Sequence, residues 1–94
     1  MPRYVVIRSN LAGVHFGRLV RDRDGQRVLR DARRAWSWKG ALSCSELAVT
    51  GPGEGSRICV TVPRVTLTIA TGDEMTDCTP EAVARWQAAS VATS

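Results

Sequence analysis

Two β-branched runs followed by a tight-turn signal, all within the first thirty residues, constrain the fold of this chain more than any other feature. Tyr4-Val5-Val6-Ile7-Arg8 is bounded by Ser9-Asn10, and Val14-His15-Phe16-Gly17-Arg18-Leu19-Val20 follows Gly13, so both predict strands. Asp22-Arg23-Asp24-Gly25 then supplies hairpin chemistry, because Asp-Gly accepts the positive φ angles that a two-residue turn requires. Gln26 to Arg30 returns as a third strand and continues irregularly toward Trp38. The alternation slips near Asp31-Ala32, where one extra residue in the strand, a bulge, would restore it. Strands joined by turns rather than crossover helices disfavour a βαβ architecture.

The pattern changes after Gly40. Ser43-Cys44-Ser45-Glu46 is a capping box that predicts a short helix through about Ala48, ending before Gly51. Gly51-Pro52-Gly53-Glu54-Gly55-Ser56 predicts an exposed loop. Arg57 to Val62 and Arg64 to Ile69 alternate as two half-buried strands, the second with Val65, Leu67 and Ile69 on one face. Thr79-Pro80-Glu81 opens a second helix running into Trp86, and Ala88 to Ser94 are expected to fray. The expected fold is α+β and mostly β: a small antiparallel sandwich or barrel of about five strands with two short helices. At 94 residues, with 44% hydrophobic and 23% charged residues, the chain supports one ordinary globular core, and residues 1–94 are assigned to a single domain. A domain of this size buries only about 60–65% of its unfolded surface, so self-association would help, and a homo-oligomer is expected.

No apolar run approaches the roughly 20 residues that span a bilayer, and Met-Pro-Arg-Tyr has no signal-peptide apolar region, so a soluble intracellular protein is expected. Cysteines 44, 59 and 78 form no C-x-x-C pair, and a chain with one His offers no four-ligand zinc set. No metal and no cofactor is expected. The net charge of +4 hides an asymmetry: residues 1–40 carry a balance of +7 and residues 41–94 one of −3. Of the thirteen cations only Lys39 is not Arg, and the guanidinium fork suits bidentate recognition of phosphate or carboxylate.

The densest cluster is Asp31-Ala32-Arg33-Arg34-Ala35-Trp36-Ser37-Trp38-Lys39-Gly40-Ala41. If it is extended, Arg34, Trp36 and Trp38 point one way, with the indoles about 6.6 Å apart, and Arg33, Ala35, Ser37 and Lys39 point the other. Cations interleaved with aromatic rings are the makeup of a site that stacks a base and neutralises a phosphate. Filling of a core or interface by the two Trp is the alternative, since the chain has a single Phe and a single Tyr. His15 lies on the strand face opposite Val14 and Phe16, where it could act as a phosphate donor or general base. The candidate ligand-binding residues are therefore Arg33, Arg34, Trp36, Trp38, Lys39 and His15. Catalytic residues are not expected: no G-x-S-x-G elbow is present, the Gly51–Ser56 loop lacks Gly-Lys-Ser/Thr, and Asp22-Arg23-Asp24-Gly25 lacks the calcium-loop ligands around it. Asp73, Glu74 and Asp77 predict a solubilising segment.

Tyr4-Val5-Val6-Ile7-Arg8, Ala12-Gly13-Val14-His15-Phe16-Gly17 and Asp31 to Ala41 with Leu47-Ala48 resemble a family of small phage and prophage proteins without an assigned function. The likeness covers residues 4–48 and extends weakly through Val65-Thr66-Leu67-Thr68 and Cys78-Thr79-Pro80. Its specific part is the Arg-Arg-x-Trp-x-Trp-x-Gly-Ala block. Where such proteins often carry a second apolar strand stretch, this chain has the polar Ile69 to Met75, so a shorter strand is expected. The resemblance implies an origin, a phage or prophage accessory gene whose product acts in the cytoplasm of the bacterial host, and not an activity; three non-enzymatic roles are weighed for such a protein. The first is capture of a phosphorylated, nucleotide-type host signal in an anti-defence role. The second is nucleic-acid binding, and the third is binding of a host protein or the virion through the Trp pair.

Overall fold

The computed structural model describes residues 2–9, 12–37 and 44–91. Six strands and two helices follow in the order β1 (Tyr4–Ser9), β2 (Gly13–Arg23), β3 (Gln26–Ser37), α1 (Cys44–Thr50), β4 (Arg57–Ile58), β5 (Val62–Thr68), β6 (Glu74–Asp77) and α2 (Pro80–Ala88). Among the described residues the named strands pair antiparallel throughout and form one sheet in the order β4-β3-β2-β1-β6. β5 lies beside the first half of β3 and β4 beside its second half. The mostly β, α+β expectation holds, as one open sheet rather than a closed barrel.

The β2–β3 hairpin turns where the sequence demands it. Asp24 (φ 56°) and Gly25 (φ 74°) occupy the two left-handed positions of a primed turn, between the paired residues Arg23 and Gln26. The slip near Asp31 is real: β3 spends Asp31 and Ala32 opposite the single residue Gly17 of β2, and Asp31 has φ 51°. Gly17 is required there. A Cβ on it would stand 2.9 Å from Leu29 Cβ and 3.2 Å from the Arg30 carbonyl. The extra residue reverses which β3 side chains face which side, so Leu29 and Ala32 share one face while Arg33 and Ala35 take the other.

The two faces carry separate cores. On one, Val6, Val14, Phe16, Ala35 and Ile58 pack under the helices against Leu47, Ala48, Ala82 and Trp86. Trp86 is 0% exposed, stacks on Phe16 at 5.0 Å between ring centroids, and donates its indole N–H to the Leu47 carbonyl at 3.1 Å. Tyr4 continues the stack on Phe16's ring. On the other face the sheet curls enough for Val5, Ile7, Leu29, Ala32 and Leu67 to form one cluster, edged by Leu19, Val62, Val65 and Met75.

Several expectations are corrected. Arg57 to Val62 does not form one strand: pairing stops at Ile58 and resumes at Val62. Between the two paired stretches Cys59, Val60 and Thr61 stand against only Arg33 and Arg34 of β3, and β5 then passes Asp31 in register. Pro63 is tolerated inside β5 because that strand pairs on one side only. Glu74–Asp77, expected only as a solubilising stretch, pairs with β1 as the short strand β6. Gly51 and Pro52 of the expected exposed loop are buried. Thr79 caps α2 as expected, accepting from the Ala82 amide at 3.1 Å. The tail is tied down further than expected: the Ala89 carbonyl accepts a bond from Arg33, and Val91 bridges to Ile58. The Ser43 cap and residues 92–94 lie outside the described residues.

Candidate functional site

The adjacent arginines of β3 have opposite fates. Arg33 is 3% exposed and turns into the helix-bearing face, where its Nε donates to the Cys59 carbonyl at 2.8 Å. Its Nη1 donates to the carbonyls of Trp86 at 2.8 Å and Ala89 at 2.6 Å. These are carbonyls at the end of α2, which have no partner within the helix and carry the negative end of its dipole. Burial pushes the guanidinium below its ordinary pKa, but an arginine so placed stays charged at neutral pH. Arg33 is thus a clasp between β3, β4 and α2. Of the two arginines expected to hold a phosphate, Arg33 is the one buried in the fold; its Nη2 has no hydrogen-bond partner among the described residues, and the residue also lines the cavity beside Arg34.

Arg34 goes the other way. It is exposed, and its guanidinium lies over Gly13, where a Cβ would stand 2.9 Å from Nη2; Gly13 also has φ +87°. Carboxylates pair with Arg3, Arg8, Arg18, Arg21, Arg23, Arg27 and Arg85. Among the described residues none is given to Arg34. With His15 it lines a cavity of about 240 Å³ whose other walls include Ala32, Cys59, Val60, Val62 and Val65. It is an apolar chamber beside which Arg34 stands without a carboxylate partner among the described residues.

His15 is directly opposite Arg34 across the β2–β3 pair and is 8% exposed. Its Nε2 is 2.7 Å from the Ala12 carbonyl, so in the neutral ring that nitrogen carries the proton and Nδ1 is left as an acceptor. Burial lowers its pKa, the bond to Ala12 opposes this, and the charge of Arg34 lowers it further. The neutral ring, with its N–H committed to Ala12, forms part of the cavity wall. Its linkage gives a pH prediction. Below about pH 6.5 the unfolded state takes up a proton that the folded ring refuses, so stability falls as pH drops through 6.5 toward the lower folded pKa. Urea midpoints at pH 7.5 and 5.5 should show a loss for the wild type that His15→Gln reduces; equal losses would exclude the linkage.

Trp36 is 67% exposed, two residues beyond Arg34, with buried Ala35 between them. The β3–β4 register shifts there, two steps from Ala35 to Ser37 matching one from Ile58 to Arg57. Arg57 stands over the Trp36 ring with Cζ 5.0 Å from its centroid. Such a pair contributes about 0.5–1 kcal/mol at an exposed site and holds the indole in one orientation. Arg34 and Trp36 thus come together on one face, as the alternation predicts, and Arg33 leaves it. Trp38 and Lys39 lie outside the described residues. Arg57 was missed because nothing in a two-residue strand announces its partner; its alternation with Ile58 was the available signal.

The family model for a domain of unknown function, DUF6948, matches residues 2–86. The chain belongs to this family. No curated protein and no solved structure matches it. The match covers every strand of this DUF6948 domain and α2 as far as Trp86, so the cavity, the exposed indole and every residue of the clasp but Ala89 lie within it. Among the described residues no three His, Cys, Asp or Glu side chains gather as a metal site, and no helix is long and apolar enough to cross a membrane. Cys59 and Cys78 are free thiols, and burial pushes Cys78 up to about 12, which keeps it unreactive at neutral pH.

Proposed function

We propose that this protein is a non-enzymatic binding protein that captures a phosphorylated ligand of nucleotide type, with Arg34 on the phosphate and Trp36 against the ring. One observation carries the reading: a guanidinium without a carboxylate partner among the described residues stands on the same strand face as a largely exposed indole. Exposing a Trp costs the fold the apolar burial that its own Trp86 obtains, and a planar ligand would recover that burial by stacking. The Arg34 fork would supply paired donors to a phosphate, and the apolar cavity beside it would take an uncharged part of the ligand. Arg57, already on one side of the indole, would add positive charge. An accessory role that intercepts a host nucleotide signal would need this chemistry and no catalytic group.

Native mass spectrometry of the protein purified from cells, then mixed with ADP, GDP, CDP and UDP, tests the reading. A nucleotide-sized mass increment is expected on the wild type and lost in Arg34→Ala, while the unfolding midpoint of that variant stays within about 0.5 kcal/mol of wild type, as for other surface substitutions. No increment from cells or from the mixture, or an increment that survives Arg34→Ala, would overturn it.

A further inference from the structure

The register of the sheet aligns three arginines on the other face. Arg18 of β2 stands directly opposite Arg30 of β3, and Arg30 directly opposite Arg64 of β5. Arg18 is also opposite Tyr4, whose ring packs on Phe16, so the row lies on the helix-bearing face, away from Arg34 and Trp36. Like charges directly opposite in a sheet are destabilising, and here the repulsion is entered twice. Asp31 approaches Arg18 to 4.0 Å, and among the described residues no carboxylate is given to Arg30 or Arg64. The neighbouring positions add Thr66 and Thr68 hydroxyl groups, and Arg21 and Arg23 around Asp24.

We infer that the Arg18–Arg30–Arg64 row is a second binding site, for the phosphate backbone of duplex DNA. Adjacent strands are about 4.8 Å apart, so the row is about 10 Å long, over which one strand of B-form DNA advances about three nucleotides. Three planar forks in line match three successive phosphates, and nothing in the row would read a base. A bilayer surface is disfavoured because the row and its flanking rows offer no exposed large apolar side chain for insertion, apart from Val20 at the β2 irregularity. The inference stands independently of the ligand proposed for Arg34 and Trp36.

The test is fluorescence anisotropy of a labelled 16-base-pair duplex titrated with wild type, with Arg34→Ala and with the double variant Arg30→Gln/Arg64→Gln, at 50 and 200 mM salt. Three neutralised phosphates predict a roughly 40-fold weaker wild-type affinity at the higher salt, and one remaining contact about 3.5-fold in the double variant. Arg34→Ala should bind like wild type. Without DNA, removing the like-charge opposition should raise the melting temperature of the double variant at low salt. Absence of binding by the wild type at 50 mM salt, an unchanged salt dependence in the double variant, or a lowered melting temperature would each overturn the inference.

Discussion

Replacing Trp86 with Ala is expected to cost about 3–5 kcal/mol, the range for removing a large buried aromatic side chain. A domain of this size has a total stability of about 5–14 kcal/mol, so the loss threatens the fold itself. The cost has three sources in the structure. The stack on Phe16 disappears, a cavity opens between the sheet and both helices, and the Leu47 carbonyl loses the indole donor. Leu47 keeps only its bond from the Gly51 amide at 3.0 Å. Trp86→Phe keeps an aromatic ring and should cost clearly less. Urea denaturation should show a lowered midpoint with an unchanged slope for both variants. Trp36→Ala should stay within about 0.5 kcal/mol of wild type, since that indole already faces solvent. Equal losses at the two positions would mean that Trp36 is buried by something the monomer does not supply.

Arg33 gives the second large effect. Arg33→Met keeps the apolar stem of the side chain but, lacking the guanidinium, leaves the carbonyls of Cys59, Trp86 and Ala89 without their donor. Hydrogen bonds to a charged group are worth about 1.5–3 kcal/mol each, and relief of the cation's own burial returns part of that. A net loss of about 3 kcal/mol is expected. Arg33→Lys should recover only part of it, because one ammonium cannot span carbonyls reached by both Nε and Nη1. The signature of a clasp is local as well as global. Amide exchange in the last turn of α2 and around Ile58 should accelerate in both variants more than exchange in the β2–β3 hairpin. A variant as stable as wild type, or uniform acceleration, would count against the clasp.

Periodicity made the N-terminal half of the fold legible. Asp24-Gly25 marked the hairpin, and the adjacent apolar residues Val28 and Leu29, with the alternation slipping near Asp31-Ala32, announced a bulge. The same alternation correctly separated Arg34 and Trp36 from Arg33 and Ala35. It could not say which of the two faces lies under helices, and so could not show that Arg33 is consumed inside the fold. The C-terminal half was less legible. Arg57 to Val62 alternates without interruption, yet it changes its place along β3 after Ile58, a consequence of tertiary pairing that no local pattern records. β6 was hidden because Glu74-Met75-Thr76-Asp77 is polar, as an edge strand paired only with β1 can be. Trp86 sat in a correctly predicted helix, but its role as the centre of the helical core depends on Phe16, seventy residues earlier. His15 was placed on the right face, but strand alternation does not record its commitment to the Ala12 carbonyl.

The central claim is that β3 divides its arginines, Arg33 for the fold and Arg34, beside Trp36, for a phosphorylated ligand. A ¹H–¹⁵N correlation spectrum of the labelled protein titrated with ADP tests it most directly, since indole N–H and arginine Nε–H signals report each side chain separately. The account predicts saturable shifts at the Trp36 indole and at Arg34, with Arg33 and the Trp86 indole unmoved. Shifts confined to another surface, or none at millimolar ADP, would contradict it.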